Sequence, residues 1–214
     1  MSENTISVKR EVIIWLFLLI AFDLIQYYLN NTLITKEIIT SELANYLDTE
    51  TASQLAERSQ SGSRILFKHI THMFLTGLKV IGTIILLYAG LFFSRKQQPI
   101  NNLLESVLKC YPAFFIVGYI QFIYFGFFQD NYTYLELNSF NPFSFTSIIS
   151  LTGPSLQGKA AAFFNAFSML DVIFCWLLSQ ELNKESEKPV TATVFIAYFT
   201  GLALWKSIIL LLVP

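Results

Sequence analysis

Charge is scarce in this chain. Of its 214 residues, 14 are Lys or Arg and 15 are Asp or Glu, about half the charged share of an ordinary globular domain. With 54% hydrophobic residues, a water-soluble fold of this size would lack the polar surface to cover its core. Neither sign dominates. The formal net charge of −1 and a pI near 6.1 exclude the clustered basic surface that nucleic acid demands. Cysteine is almost absent: Cys110 and Cys175 lie in or beside apolar runs, so spacing offers neither a disulfide framework nor a zinc site. Both read as small hydrophobes. Nucleotide-binding glycine loops, nucleophile elbows and zinc-protease helices are missing as well. The sequence therefore gives no reason to expect an enzyme, a cofactor or a bound metal.

What the chain has is uninterrupted apolar length, with a mean hydropathy of +0.52. About 20 helical residues cross the hydrocarbon of a bilayer, and inside it every backbone polar group must be satisfied within the helix. Five segments meet that length: 12–29, 73–93, 112–128 with a preceding helix over 101–111, 160–180, and 190–213. We therefore expect an all-α polytopic membrane protein, one membrane domain over residues 1–214 built as a bundle of about five transmembrane helices. The first run ends in Asp23-Leu-Ile-Gln-Tyr-Tyr without a small-x-small cleavage site, so it reads as an uncleaved anchor.

Lys9, Arg10, Arg95, Lys96, Lys184 and Lys188 crowd into short segments on one side of these spans. Lys36, Arg58, Arg64, Lys68 and Lys159 are spread over longer loops on the other. The positive-inside rule then places the amino terminus in the cytoplasm. On the outer side, residues 30–68 carry apolar residues at helical spacing from Ile38 to Ala56 among acidic ones, the pattern of amphipathic helices. Thr51 is positioned to cap the second of them, and Ser61-Gly62-Ser63 to end it. The sequons at Asn30 and Asn131 fall on that same side.

Glu105 and Lys109 form an i,i+4 pair in the favourable order, and Pro112 follows them. Its missing N–H predicts a kink, either in one long span or where an interfacial helix enters the membrane. The run Leu103-Leu104-Glu-Ser-Val107-Leu108-Lys-Cys-Tyr111-Pro112 resembles the stretch before the third span of bacterial members of the Yip family. These are relatives of the five-span membrane partners of Rab-type GTPases. Leu170-Asp171-Val-Ile-Phe-Cys-Trp176 is similar to that family's fourth-span run, with its Phe displaced by one position. The resemblance spans residues 12–210 and implies a helical bundle, a scaffold or assembly role, Tyr111, Pro112, Asp171 and Trp176 as family-like positions, and a bacterial inner-membrane location. Eukaryotic relatives carry an Asp-Leu-Tyr-Gly-Pro-like motif ahead of the first span; here it is absent, so Rab binding is not implied.

Four ionisable residues fall inside the expected spans: Asp23, Lys79, Asp171 and Lys206. Charges in hydrocarbon are costly and usually paired. Equal depth on adjacent antiparallel spans predicts an Asp23–Lys79 pair, with Asp171 and Lys206 as a second. The same charges open an alternative function, a small transporter or permease subunit. His69 and His72, at i,i+3, could share a helix face and take a metal only with help from Asp48 or Glu57. The partners expected are the lipid bilayer and another membrane protein, not nucleic acid.

Overall fold

The structure is a computed structural model describing residues 2–96, 98–129, 131–152, 161, 163–165, 167–184, 186 and 188–212. The described chain is helical, with a single isolated β-bridge. Its elements are α1 (Ser2–Leu33), α2 (Lys36–Leu43), α3 (Thr49–Ser59), α4 (Gly62–Phe93), α5 (Ile100–Cys110), a 3-10 turn (Tyr111–Phe115) and α6 (Ile116–Phe127). After these come α7 (Tyr134–Ser139), α8 (Phe145–Thr152), α9 (Met169–Lys184) and α10 (Thr191–Leu212).

Among the described residues four segments are long and apolar enough to cross a membrane: Arg10–Leu33, Gly62–Phe93, Ile100–Phe127 and Thr191–Ile208. Large apolar side chains stand exposed along them, Phe17 at 71%, Phe74 at 65% and Ile85 at 62%, which suits lipid and not water. Pro112 lies in the 3-10 turn joining α5 to α6, so the expected kink is a tightened turn inside a longer apolar segment. The expected span 160–180 differs. Residues 160, 162 and 166 lie outside the described set, as do Lys159 and Val213, and α9 begins only at Met169. Its 16 residues reach about 24 Å, short of a hydrocarbon core of about 30 Å. Residues 161, 163 and 164 are helical, and the break lies at 167–168, where the Phe145 N–H donates to Phe167 O and the Met169 N–H to Phe143 O. Those bonds replace helical ones and interrupt the expected span.

The chain forms two compact units. The first comprises residues 1–19, 78–114 and 141–214. In it α9 packs against α10 and α5 around Leu87, Leu103, Val107, Phe174, Leu178 and Val194, all fully buried. Small residues let backbones approach here as in other membrane helix pairs: a Cβ on Gly90 would meet the Ala197 Cβ at 2.5 Å. Lys109 joins Glu105 at 2.5 Å, as the i,i+4 spacing predicts, and Glu11 at 3.7 Å.

Helix α4 ends in a Schellman motif, with the Lys96 N–H donating to Leu91 O and the Arg95 N–H to Phe92 O. Arg95 sits at the left-handed position with φ 54°, where glycine is the unstrained choice. Arg95→Gly is therefore expected to stabilise the protein by about 1 kcal/mol in denaturation measured in detergent. A loss of stability would show that the Arg95 side chain holds more than it costs.

The second unit comprises residues 20–77 and 115–140. Thr35 caps α2, its side chain accepting from the Ile38 N–H, and Asp48 caps α3 by accepting from the Thr51 N–H at 2.9 Å. The cap of the second amphipathic helix is thus Asp48, three residues before the Thr51 that the sequence suggested. The Thr51 backbone bond holds the Asp48 carboxyl below the usual carboxylate range. Thr133 and Glu136 form a reciprocal capping box at α7.

Candidate functional site

The first span carries polar residues at a spacing that composition conceals. Asp23, Gln26, Tyr27 and Asn30 stand at i, i+3, i+4 and i+7 of α1, a single stripe of one helix face. On α4, His69, His72 and Thr76 stand at i, i+3 and i+7. The structure brings these two stripes together within the second unit. His72 Nε2 lies 3.1 Å from Asp23 Oδ1, and the Tyr27 ring lies 4.5 Å from His69 and 6.4 Å from His72 between ring centroids. The Tyr27 hydroxyl donates to Ile65 O at 2.9 Å, tying α1 to the first turn of α4. From α6 the Tyr119 hydroxyl donates to Phe22 O at 3.2 Å.

Asp23, 1% exposed, and His69, 9%, are buried, while the His72 side chain is about half exposed. Among the described residues neither Asp23 oxygen has a hydrogen-bond donor, nor does Gln26 Oε1 or Asn30 Oδ1, and both ring nitrogens of His69 are unpartnered. The 3.1 Å separation of His72 from Asp23 is close enough for an ion pair, yet no N–H of the ring is aimed to make a hydrogen bond. We take the contact as electrostatic proximity, which leaves the carboxylate short of donors. Buried polar groups are nearly always satisfied, and a carboxylate without donors in a low-dielectric setting is among the most costly.

Gly118 on α6 makes room for this arrangement. A Cβ there would run into the Gln26 side chain at Nε2, Cδ and Cγ, so the glycine is the notch in which Gln26 rests. A cavity of about 190 Å³ adjoins the stripe, lined by Tyr27, Asn30, Asn31, Gln60 and Lys68, with Tyr134 from α7. Tyr27 and Asn30 belong to both the cavity wall and the polar stripe.

The charge pairs expected from the sequence are not the contacts found. Asp23 meets His72, while Lys79 is exposed and has no ion pair among the described residues. Because α1 runs on to Leu33 and α4 starts at Gly62, Asp23 and His72 each lie ten residues from the ends that face one another, while Lys79 is seven residues, about 10 Å, further along α4. In the first unit, Asp171 is held by hydroxyls instead of Lys206. Its Oδ2 accepts from the Ser168 N–H at 2.8 Å and from Ser168 Oγ at 3.1 Å, and its Oδ1 accepts from the Tyr198 hydroxyl at 2.8 Å. That carboxylate is fully satisfied, and with Ser168 it forms a capping box at α9, in which Ser168 Oγ accepts from the Asp171 N–H at 3.3 Å. Lys206 is partly buried and has no ion pair among the described residues.

Of the family-like residues, Tyr111 is buried with its ring 5.2 Å from Phe114 and 6.4 Å from Phe174. Pro112 lies in the 3-10 turn, and Trp176 is 55% exposed on α9. His69 and His72 share a face, but among the described residues no three His, Cys, Asp or Glu side chains converge as metal ligands.

Gln26, Asn30 and Gly118 escaped a reading confined to ionisable groups. Their signal was there in the Asp-x-x-Gln-Tyr-x-x-Asn spacing inside an apolar span, matched by His-x-x-His-x-x-x-Thr in the next. No family model, curated protein or solved structure matches this chain.

Proposed function

We propose that this chain is a non-enzymatic integral membrane protein of the small transporter or permease type, which binds a small polar solute or ion at the stripe centred on Asp23. The observation that carries the reading is the Asp23 carboxylate, 1% exposed, with no hydrogen-bond donor on either oxygen among the described residues. Folding gains nothing from such a group. A ligand supplying donors does, which makes an intramembrane carboxylate a functional hypothesis by default. The cavity over Tyr27 and Asn30 gives the stripe an approach from the loop side.

In the topology set by the basic turns, the amino terminus is cytoplasmic and the α2–α3 segment is external; the likeness to bacterial Yip-family proteins implies the bacterial inner membrane. The test is flux in proteoliposomes. Permeability to small polar solutes or salts should exceed that of protein-free vesicles and fall to their level in Asp23→Asn. Identical rates for wild type and variant with every solute would overturn the reading.

The likeness to the Yip family supports a second reading, a scaffold that acts through its loops. Tyr46 at 80% and Leu47 at 40% exposure favour it, because these apolar side chains lie between α2 and α3, outside the membrane-length helices. On that reading flux would not depend on Asp23, and a stable membrane-protein partner would be lost from Tyr46→Ser.

A further inference from the structure

Resting on the permease reading, we infer that the ligand of the α1–α4 stripe is a small primary ammonium, ammonium itself or a short alkylammonium such as methylammonium. The unsatisfied groups decide the sign and kind of ligand. Four buried oxygens lack donors: both of Asp23, Gln26 Oε1 and Asn30 Oδ1. One side chain of the set bears formal negative charge. His72 Nε2 lies 3.1 Å from Asp23 Oδ1 without making a hydrogen bond to it, so it does not complete the set. A partner for this set must therefore be rich in donors and positively charged.

Spacing separates an ammonium from a metal ion. Along α1 the rise of about 1.5 Å per residue puts Gln26 about 4.5 Å and Asn30 about 10 Å from Asp23. The oxygens thus form a row, not a cage. Hard metal cations need six or more oxygens converging on one point, and no three charged or imidazole ligands converge here among the described residues. An ammonium needs only two or three acceptors at a time and can be handed along a row. Tyr27 adds to the match, since it belongs to both the stripe and the cavity wall and an aromatic ring attracts an ammonium. The cavity of about 190 Å³ admits a molecule of a few heavy atoms. Lys68 at its wall is exposed, so solvent screens its repulsion of a monovalent cation.

The experiment is charge movement across proteoliposomes of the full chain on a solid-supported membrane, after concentration jumps of methylammonium, tetramethylammonium and sodium. All three carry one positive charge, but only methylammonium has N–H donors. Methylammonium should half-saturate the current at about tenfold lower concentration than the other two, the factor expected for one charge-assisted hydrogen bond. Asn30→Leu and Gly118→Ala should each raise that concentration about tenfold, the second by displacing Gln26 while leaving every polar group in place. Lys79→Gln should change nothing. Gly118→Ala also keeps the test open if Asp23→Asn is not recovered folded. Equal responses to all three cations, abolished in Asp23→Asn, would overturn the ammonium assignment and leave the permease reading intact. Currents independent of Asp23 for every cation would overturn both.

Discussion

Asp23→Asn is expected to abolish ligand binding without weakening the fold. A buried carboxylate with no donor costs free energy, and asparagine is nearly isosteric and uncharged. Its melting temperature in detergent should equal or exceed the wild-type value, a gain of about 1–2 kcal/mol. Ligand affinity should fall by about 2–4 kcal/mol, roughly 30- to 1000-fold, because the only formal charge of the acceptor row is gone. A structural ion pair gives the opposite pattern: neutralising one partner strands the other, and stability falls by about 3–5 kcal/mol. Thermal melts and binding on the same preparation separate the two. A large stability loss rescued by the second substitution His72→Leu would make the pair structural.

The second large effect lies at the other buried carboxylate. Asp171→Ala should destabilise the first unit by about 3 kcal/mol, since it removes the side-chain half of the capping box at α9 and strands the Ser168 N–H and the Tyr198 hydroxyl together. Tyr198→Phe should cost about 1–2 kcal/mol, and adding it to Asp171→Ala should cost less than the sum because the two share one bond. Flux per folded molecule should be unchanged in Tyr198→Phe. Urea titration in mild detergent measures the first part. Fully additive losses would show that the 2.8 Å contact between these side chains contributes nothing.

The contrast between the two aspartates explains what sequence could and could not supply. Apolar length marked the first, second, third and last long helices, because the membrane constraint acts on composition itself. At 160–180 it did not foresee the break at Phe167–Ser168, whose backbone pairs with residues 143–145; composition carries no information about such a local alternative. The Pro112 kink and the Glu105–Lys109 pair were legible because both are local. Asp23 and Asp171 were picked out by the same rule, yet one lacks donors and the other has three. Only the partners tell them apart. Asp171 gets Ser168 from the adjoining turn and Tyr198 from α10, whereas Asp23 has, among the described residues, only His72 at ion-pair distance and no hydrogen-bond donor. Reading charge without the amides overlooked Gln26 and Asn30, whose i,i+3,i+7 register with Asp23 is the clearest sequence mark of the site.

Thiol accessibility tests the central claim, that the Asp23 stripe is a ligand-accessible polar path inside an apolar bundle. Single cysteines at Asp23, Gln26 and Asn30, and at Leu24 and Ile25 on the neighbouring exposed apolar face, would be placed in a Cys110→Ser, Cys175→Ser background. Each would be treated in vesicles with a small ethylammonium thiosulfonate. Modification is expected at positions 30, 26 and 23, slowing in that order, with methylammonium protecting 30 and 26 but not 23, where the carboxylate is lost, and with none at 24 and 25. No modification at 23, 26 and 30 would mean a dry structural cluster and would contradict the claim.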